Sequence, residues 1–310
     1  MQQPDINGLF ERIITYPDFD PKERFSRLVG IDDHKERLTK MLSVLVNPIS
    51  LEKWAREHHP DAIETILAAV RRPPLIVLAG DVGTGKTELA ETIGDAVARQ
   101  EGISITLFPM SLSSRGQGRV GEMTQLLSTA FEYIHSEASK FKKDDAKISG
   151  AAILLVDEAD ALAQSREDVQ MHHEDRAGVN AFIRGIDRIS NSQLPAAVIM
   201  CTNRLDALDP AVRRRAADII IFRRPNKLQR FAVIGPTLLK LGLSKQEIQS
   251  IVIVTGKREN TSFGFTYSDL TQRLLPAVIL DAYPTNAVSA ARVLEIASRI
   301  EPTKPFGGTT

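Results

Sequence analysis

The residues best suited to chemistry lie in the run GDVGTGKT, from Gly80 to Thr87. It matches the phosphate-loop pattern of a glycine, four free positions and Gly-Lys-Thr, and it follows the apolar run PLIVLAG. Its glycines let backbone N–H groups point at phosphate oxygens, while its lysine can reach the β- and γ-phosphates. We therefore expect ATP to bind at Asp81, Val82, Gly83, Thr84, Gly85, Lys86, Thr87 and Glu88.

A pair of carboxylates follows a second apolar run, in ILLVDEAD. Ligands of α/β sheets collect at the carboxyl ends of strands, where Asp157 and Glu158 would lie. We expect Asp157, together with the Thr87 hydroxyl, to hold Mg²⁺ and Glu158 to be the general base for the attacking water. Asp160 is interpreted as structural, for example as a helix cap.

Two further segments could complete a hydrolytic site. The run AVIMCTN ends at Asn203, whose amide can position the water, while Cys201 within it is interpreted as a packing thiol. LDPAVRRRAAD then brings three consecutive arginines, Arg213, Arg214 and Arg215. A guanidinium suits the charge that develops on a transferring phosphoryl group, but at least one of the three would be merely solvated.

These segments need a scaffold of alternating strands and helices. Short apolar runs (PLIVLAG, SITLFPM, AAILLVDEAD, PAAVIMCTN and ADIIIFRRP) alternate with helical stretches, which predicts an α/β fold with a parallel sheet covered on both faces. From about Lys227 the pattern is helical, with IVIV ambiguous. We predict an N-terminal arm (1–24), an α/β ATPase domain (25–225), a small helical lid domain (226–300) and a disordered tail (301–310).

Composition limits the class of protein. Lys+Arg and Asp+Glu both number 39 among 310 residues, and this neutrality argues against a dedicated duplex-binding protein. A single cysteine excludes an intramolecular disulfide. No apolar run approaches the ~20 residues of a membrane span, and the first residues do not resemble a secretory signal. We expect a cytoplasmic protein that binds neither membrane nor nucleic acid.

Taken in order, GDVGTGKT, ILLVDEAD, CTN and LDPAVRRRAAD resemble the AAA+ ATPases. The stretch FSRLVGIDDHKERLTKMLSVLVNP is similar to that family's lead-in, which implies that Val29, Gly30 and Ile31 flank the adenine. The resemblance also implies an arginine finger acting in trans in a homo-oligomeric ring, most often a hexamer, and a lid that rotates with nucleotide state.

Within that family the chain resembles the pachytene-checkpoint/thyroid-receptor-interactor ATPases, ring proteins that remodel HORMA-domain proteins. RAGVNAFIRGIDRI and RRRAADI carry this resemblance, which favours Arg215 as the finger, with Arg214 as second candidate. The family's double proline is Asp81-Val82 here, and its lid arginine aligns with Leu270, leaving Arg273 as a substitute. A core-only version resembles bacterial members that are associated with anti-phage operons encoding HORMA proteins.

The glycine-rich run SLSSRGQGRVGE follows the second core strand, where AAA+ rings carry a pore loop. The resemblance implies that residues 114–120 touch substrate, through the side chains and backbone of Arg115, Gly116, Gln117, Gly118 and Arg119. Because no aromatic residue is present to grip apolar side chains, we expect a polar or acidic substrate segment.

Other functions stay open from the sequence: a nucleic-acid motor or clamp-loader-like switch, an unfoldase serving a separate peptidase, and a nucleotide-dependent scaffold. The neutral charge opposes the nucleic-acid reading, and the full set of catalytic residues opposes the scaffold. The adjacent His172 and His173 lack an evident third ligand, so we interpret them as part of a loop or helix start and not as a metal site.

Overall fold

The computed structural model describes residues 8–112, 121–144, 147–160, 173–258 and 261–306. Its main sheet contains six strands, β1 (Ile14–Tyr16), β2 (Leu75–Gly80), β3 (Ser104–Ser111), β6 (Gly150–Asp157), β7 (Ala196–Thr202) and β8 (Ala216–Phe222). Their order across the sheet is β1-β3-β6-β7-β2-β8, and the neighbouring strands β3, β6, β7 and β2 are parallel. A second, two-stranded antiparallel sheet contains β4 (Lys142–Asp144) and β5 (Lys147–Ile148). The α/β fold class predicted from the sequence is confirmed.

The helices before the lid are α1 (Phe19–Arg27), α2 (Asp32–Val46), α3 (Pro48–His58), α4 (Ile63–Val70), α5 (Lys86–Glu101), α6 (Glu122–Phe141), α7 (His173–Ser192) and α8 (Pro210–Arg215). Those of the lid are α9 (Lys227–Lys240), α10 (Lys245–Val254), α11 (Leu275–Ala282) and α12 (Ala290–Arg299). The ambiguous IVIV segment is the end of α10, whose inward positions Ile248, Ile251 and Val252 are spaced as in an amphipathic helix.

The sheet core explains why its strands are uniformly apolar. On one face, alternate strand residues such as Val77, Leu154 and Val198 pack in a single cluster with α6 and α7. The residues between them point to the opposite face and are equally buried. Strands buried on both faces need continuous apolar runs, and only their last residues can be polar.

The predicted N-terminal arm, in its described part, belongs to the sheet. Strand β1 pairs antiparallel with β3 as an edge strand. Tyr16 is almost fully buried, and its hydroxyl donates to the backbone oxygen of Glu91 in α5. Arg24 of α1 then forms a fork with Glu88 of α5, with both N···O distances at 2.8 Å. A polar, proline-punctuated sequence concealed this strand because it is only three residues long.

Two compact units divide the chain. The first contains the sheet, with residues up to Ser26, Asp33–Ala79 and Thr87–Ile221. The second contains the lid helices from Phe222 onward together with the lead-in Arg27–Asp32 and the phosphate loop Gly80–Lys86. The sequence-based division at residue 225 placed those two short segments with the sheet, but their backbone hydrogen bonds and ion pair connect them to lid residues.

The lid unit has its own core and its own helix signals. Its buried cluster includes Ile234, Leu238 and Phe265. Asn226 and Ser244 cap α9 and α10 through capping boxes with Gln229 and Glu247, respectively. Thr303 does not fit the disordered tail that we predict from residue 301, because its N–H and Oγ1 donate to the buried carboxylate of Asp269 at 3.0 and 2.7 Å.

Candidate functional site

The phosphate loop has the geometry of an anion cradle. Gly83 and Gly85 have φ of +73° and +95°, in the left-handed region that favours glycine. A Cβ on Gly83 would lie 2.8 Å from Thr266 Oγ1, so the loop also needs glycine there for close packing. Lys86 is 7% exposed, and its Nζ donates to the backbone oxygens of Gly80 and Asp81 at 2.8 and 2.9 Å. The loop therefore presents a buried cation within a curled backbone.

The sheet unit supplies the carboxylates. Strands β3, β6 and β7 are parallel neighbours, so their carboxyl ends share one edge of the sheet. Asp157 ends β6 beside Ser111, which ends β3. Asp157 Oδ1 accepts from the backbone N–H of Glu158 at 2.8 Å. Thr87 lies at the start of α5, so this unit contains both oxygen donors of the expected Mg²⁺ site, ligands that a hard cation prefers.

Glu158 is held in an unusual state. Its φ is +51°, a left-handed backbone conformation that non-glycine residues adopt rarely and at a cost. Its Oε2 accepts from Ser111 Oγ at 2.7 Å, and the residue is exposed. Strained backbone often marks a functional position. The hydroxyl at the end of β3 thus holds the candidate general base in one orientation.

Asp160 orients the candidate water-positioning amide. One oxygen, Oδ1, accepts from Thr202 Oγ1 and from the Asn203 N–H, both at 2.7 Å, while Oδ2 accepts from Asn203 Nδ2 at 3.0 Å. An ionised carboxylate only accepts hydrogen bonds, so the donor end of the Asn203 amide must face it. The carbonyl end of that amide points the other way. The structural role inferred for Asp160 is therefore to fix Asn203, and no helix-cap contact of Asp160 is seen among the described residues.

The expected adenine-flanking segment contacts the lid. Gly30 has φ of +81°, and its carbonyl accepts from Gln229 Nε2 at 2.6 Å and from the Tyr267 hydroxyl at 3.4 Å. Burial, with a contribution from Asp32, raises the pKa of Tyr267 to about 12, so this hydroxyl stays a donor at neutral pH. Val29 is 39% exposed and Ile31 is buried. An apolar surface at Val29 is therefore accessible beside this fixed turn.

Lid and loop meet again at Gly83 and Asp81. The N–H of Ser268 donates to the Gly83 carbonyl at 3.0 Å. Arg224, between β8 and α9, donates from Nε to Asp81 Oδ2 at 2.8 Å. Val82 is exposed, while the Thr84 hydroxyl donates to the Asp81 carbonyl and so closes the loop on itself. Among the predicted phosphate-loop residues, Asp81 thus has its side chain committed to an arginine of the lid unit.

Glu88, predicted to bind nucleotide, has its carboxylate occupied. Both of its oxygens accept from Arg24, which also reaches Glu91 at 2.6 Å. The Arg24 side chain is 23% exposed. Its hydrogen bond to Glu88, and then that to Glu91, raise the pKa of its guanidinium. The side chain of Glu88 therefore ties α5 to α1 in this structure.

The arginine cluster divides by environment. Arg215 forms a bidentate pair with Asp187 of α7, with Nε and Nη2 at 2.7 and 2.9 Å from the two carboxylate oxygens. The hydrogen bonds that Arg215 donates to that carboxylate raise the pKa of its guanidinium. Arg213 and Arg214 are exposed, and neither side chain makes a hydrogen bond or ion pair with the residues that the structure describes. Arg215 is oriented by its neighbour, while Arg214 projects without a partner in that part of the chain.

Leu270 and Arg273, the two residues considered for the lid-arginine position, both have their side chains engaged within the lid unit. Leu270 is fully buried in the lid core. The substitute candidate Arg273 donates from Nη1 to Asp269 Oδ1 at 2.8 Å and to the Glu301 carbonyl at 2.9 Å. Arg273 thus connects the lid to the start of the C-terminal segment.

Several predicted features lie outside the described residues. These are the pore-loop positions Arg115, Gly116, Gln117, Gly118 and Arg119, as well as His172. Across the described ranges, no cluster of three or more His, Cys, Asp or Glu side chains could hold a metal. None of the helices in those ranges is both long and apolar enough to cross a membrane. Cys201 is buried within β7.

Sequence reasoning missed three contributors to these contacts: Ser111, Arg24 and Arg224. Ser111 has a recognisable signal, because it is the polar residue that ends a largely apolar strand. Arg24 and Arg224 have no local signal, because their partner carboxylates lie far along the chain. Glu88 is 64 residues from Arg24, and Asp81 is 143 residues from Arg224.

Comparison with known proteins places the chain among ATPases. Residues 76–224 match the family described as "ATPase family associated with various cellular activities (AAA)". The chain is 61% identical over 304 residues to CD-NTase-associated protein 6 of Escherichia coli strain MS 115-1, covering 98% of both chains. It is 34% identical to CD-NTase-associated protein 6 of Escherichia coli strain KTE188, covering 97% of this chain and 98% of the relative.

Solved structures give the same result. A chain in the structure of the E. coli MS115-1 HORMA:CdnC:Trip13 complex is 60% identical, with a TM-score of 0.89 over 98% of this chain and 100% of that one. The chain in the structure of Rhizobiales Trip13 is 56% identical in sequence to this one. The TM-score is 0.75, and the match covers 96% of this chain and 100% of that one.

Proposed function

Because the chain belongs to the AAA ATPase family, and within it to the group of CD-NTase-associated protein 6, we propose that it couples Mg²⁺-dependent ATP hydrolysis to the remodelling of a protein partner. One observation carries the hydrolytic part of this proposal. At the shared edge of β3, β6 and β7, Ser111 holds Glu158 and Asp160 holds Asn203, so a candidate base and a candidate water-positioning amide are both pre-oriented.

The residues divide the chemistry as follows. The loop from Asp81 to Thr87 binds the phosphates through backbone N–H groups and Lys86. Bound Mg²⁺, held by Thr87 and Asp157, would neutralise charge on the phosphate oxygens. Glu158 takes the proton of the attacking water, and Asn203 aligns that water through its carbonyl end.

A neighbouring subunit completes the proposed site. Arg215 would act in trans on the nucleotide of the next protomer in a ring, with Arg214 as the second candidate. The Asp187 pair supports this role for Arg215, because it holds the guanidinium extended and oriented at low cost. An ion pair at such a half-exposed position contributes only about 1 kcal/mol or less, so Arg215 can exchange it for a phosphate.

A HORMA-domain protein is the partner that the comparisons favour. The similar chain from E. coli MS115-1 is found in a complex that includes a HORMA protein and CdnC. We therefore propose a HORMA-domain substrate in anti-phage signalling, acting in the cytoplasm and without nucleic acid. The basic pore-loop residues Arg115 and Arg119 would contact a polar or acidic segment of that substrate.

The hydrolytic proposal is tested with Glu158→Gln. Because this change removes the base and keeps the shape, nucleotide should bind with unchanged affinity while kcat falls by about 10²-fold or more. Glu57→Gln, an exposed carboxylate on α3, is the matched control and should keep wild-type turnover. Normal hydrolysis by Glu158→Gln would refute the assignment of the base.

The finger proposal is tested by mixing subunits. Arg215→Ala and Glu158→Gln proteins should each be inactive alone, but mixed rings should regain activity at interfaces that combine one intact half from each. No recovery at any mixing ratio would contradict a finger that acts in trans. Repeating the mixture with Arg214→Ala distinguishes the two candidate arginines.

The partner proposal is tested with the Glu158→Gln protein as an ATP-bound trap. Purified HORMA protein from the same genome should bind the trap in the presence of ATP and dissociate with ADP. Arg115→Ala with Arg119→Ala should abolish remodelling without changing basal ATP hydrolysis. Remodelling at the wild-type rate by that double variant would exclude the pore-loop role.

A further inference from the structure

Arg224 makes three contacts that join the phosphate loop to a loop of the lid. Its Nε donates to Asp81 Oδ2 at 2.8 Å and its Nη1 to the Gly264 carbonyl at 2.7 Å. The guanidinium carbon lies 4.7 Å from the ring centroid of Phe263, a cation–π arrangement. The side chain is 13% exposed, and Nη2 is buried without a hydrogen-bond partner among the described residues. One cation thus connects the phosphate loop to the lid loop that contains Phe263 and Gly264.

Asp81 places a negatively charged side chain on the phosphate loop. A phosphate loop binds a polyanion, and a carboxylate on the loop repels that polyanion. The backbone carbonyl of Asp81 accepts from Lys86 Nζ, so Asp81 adjoins the cation expected to hold the β- and γ-phosphates. An uncompensated charge on Asp81 would therefore weaken nucleotide binding.

We propose that Arg224 is a positioning and charge-compensating residue of the nucleotide site: it neutralises Asp81 and so permits an acidic residue in the phosphate loop. This inference rests on the proposed nucleotide-binding function of the loop. The compensation depends on the lid loop, because Gly264 and Phe263 hold the guanidinium in place. Any displacement of residues 263–264 that withdraws Arg224 would expose the Asp81 carboxylate to the phosphates and promote nucleotide release.

The proposal predicts an ordered set of affinities for a fluorescent ADP analogue. Arg224→Gln leaves Asp81 uncompensated, so the Kd should rise by about tenfold. Asp81→Asn leaves the cation in place, so the Kd should stay equal or fall. The double variant removes both charges, so its Kd should return to within about twofold of wild type. The rise for Arg224→Gln should shrink at high salt, since it is electrostatic.

These outcomes separate charge from structure. Arg224→Lys keeps the charge but loses the bond to Gly264, and it should bind nucleotide much more tightly than Arg224→Gln. If Arg224→Gln does not fold, the comparison of Asp81→Asn and Arg224→Lys with wild type still decides: a tenfold loss in either variant would overturn the proposal. So would a double variant that binds as weakly as Arg224→Gln.

The experiment also distinguishes the role proposed for Arg224 from the nucleotide-binding function proposed for the loop. Lys86→Ala should abolish binding of the ADP analogue. If wild type itself bound no nucleotide, the proposed function would fail, and the compensation with it. If wild type bound nucleotide but Arg224→Gln bound it equally well, only the role of Arg224 would be wrong.

Discussion

Asp160 offers the sharpest test of how the candidate hydrolytic site is built. Its carboxylate accepts three hydrogen bonds, from Thr202 Oγ1, the Asn203 N–H and Asn203 Nδ2, at 2.7, 2.7 and 3.0 Å. Asp160→Ala removes both acceptor oxygens, and with them all three hydrogen bonds, from a partly buried network. At about 1 kcal/mol for each bond, the loss is about 3 kcal/mol, or about 6–12 °C in Tm for a domain of this size.

Asp160→Asn separates stability from catalysis. The new side chain keeps an oxygen for Thr202 Oγ1 and the Asn203 N–H, but its NH₂ group meets the NH₂ group of Asn203. Two donors cannot pair, so the Asn203 amide should rotate by about 180° and present NH₂ in place of its carbonyl to the catalytic water. We expect kcat to fall at least about tenfold while the stability loss stays near one hydrogen bond, about 1 kcal/mol.

The assay compares steady-state ATP hydrolysis with thermal unfolding for both variants. Asp206→Asn, an exposed carboxylate three residues beyond Asn203, is the control and should change neither quantity. The KM for ATP should change little, because Asp160 affects the water and not the phosphates. Wild-type kcat in Asp160→Asn, with a normal Tm, would refute the claim that Asp160 orients Asn203.

The remaining predictions test other contacts. Ser111→Ala removes the donor that holds Glu158, so we expect kcat to fall several-fold while Tm stays nearly constant. An unchanged kcat would mean that this hydrogen bond is incidental to hydrolysis. Arg24→Ala breaks the fork that joins α1 to α5 and should lower stability by about 1–3 kcal/mol in chemical denaturation, while Arg24→Lys should lose less. Burial alone would raise the pKa of Asp269, but hydrogen bonds from Thr266, Thr303 and Arg273 outweigh it, and the pKa lies below its usual value. In the unfolded state the pKa of Asp269 is near 4, so its ionised form stabilises the fold above that pH. This contribution is lost as the pH falls through the lower, folded-state pKa. The difference in free energy of unfolding between wild type and Asp269→Asn should therefore narrow below pH 4.

Candidate site residues that lie in short, contiguous sequence patterns could be predicted without a structure. GDVGTGKT, ILLVDEAD and the run ending at Asn203 each combine an apolar strand with a polar end, and that combination requires only a few consecutive residues. The same reasoning predicted the parallel sheet, because strands buried on both faces must be continuously apolar. It could not detect β1, since a three-residue edge strand with one exposed position leaves almost no pattern.

The sequence by itself therefore determined which residues are candidates for chemistry, because the phosphate loop, the acidic strand end and the arginine cluster each lie in a short contiguous segment. Only the tertiary structure decided how those groups are held. Asp160 binds Asn203 across 43 residues, Ser111 binds Glu158 across 47, and Arg224 binds Asp81 across 143. Each pair forms because the sheet order or the packing of the lid unit brings distant residues together. Such proximity depends on the whole fold, so no local pattern of residue types encodes it.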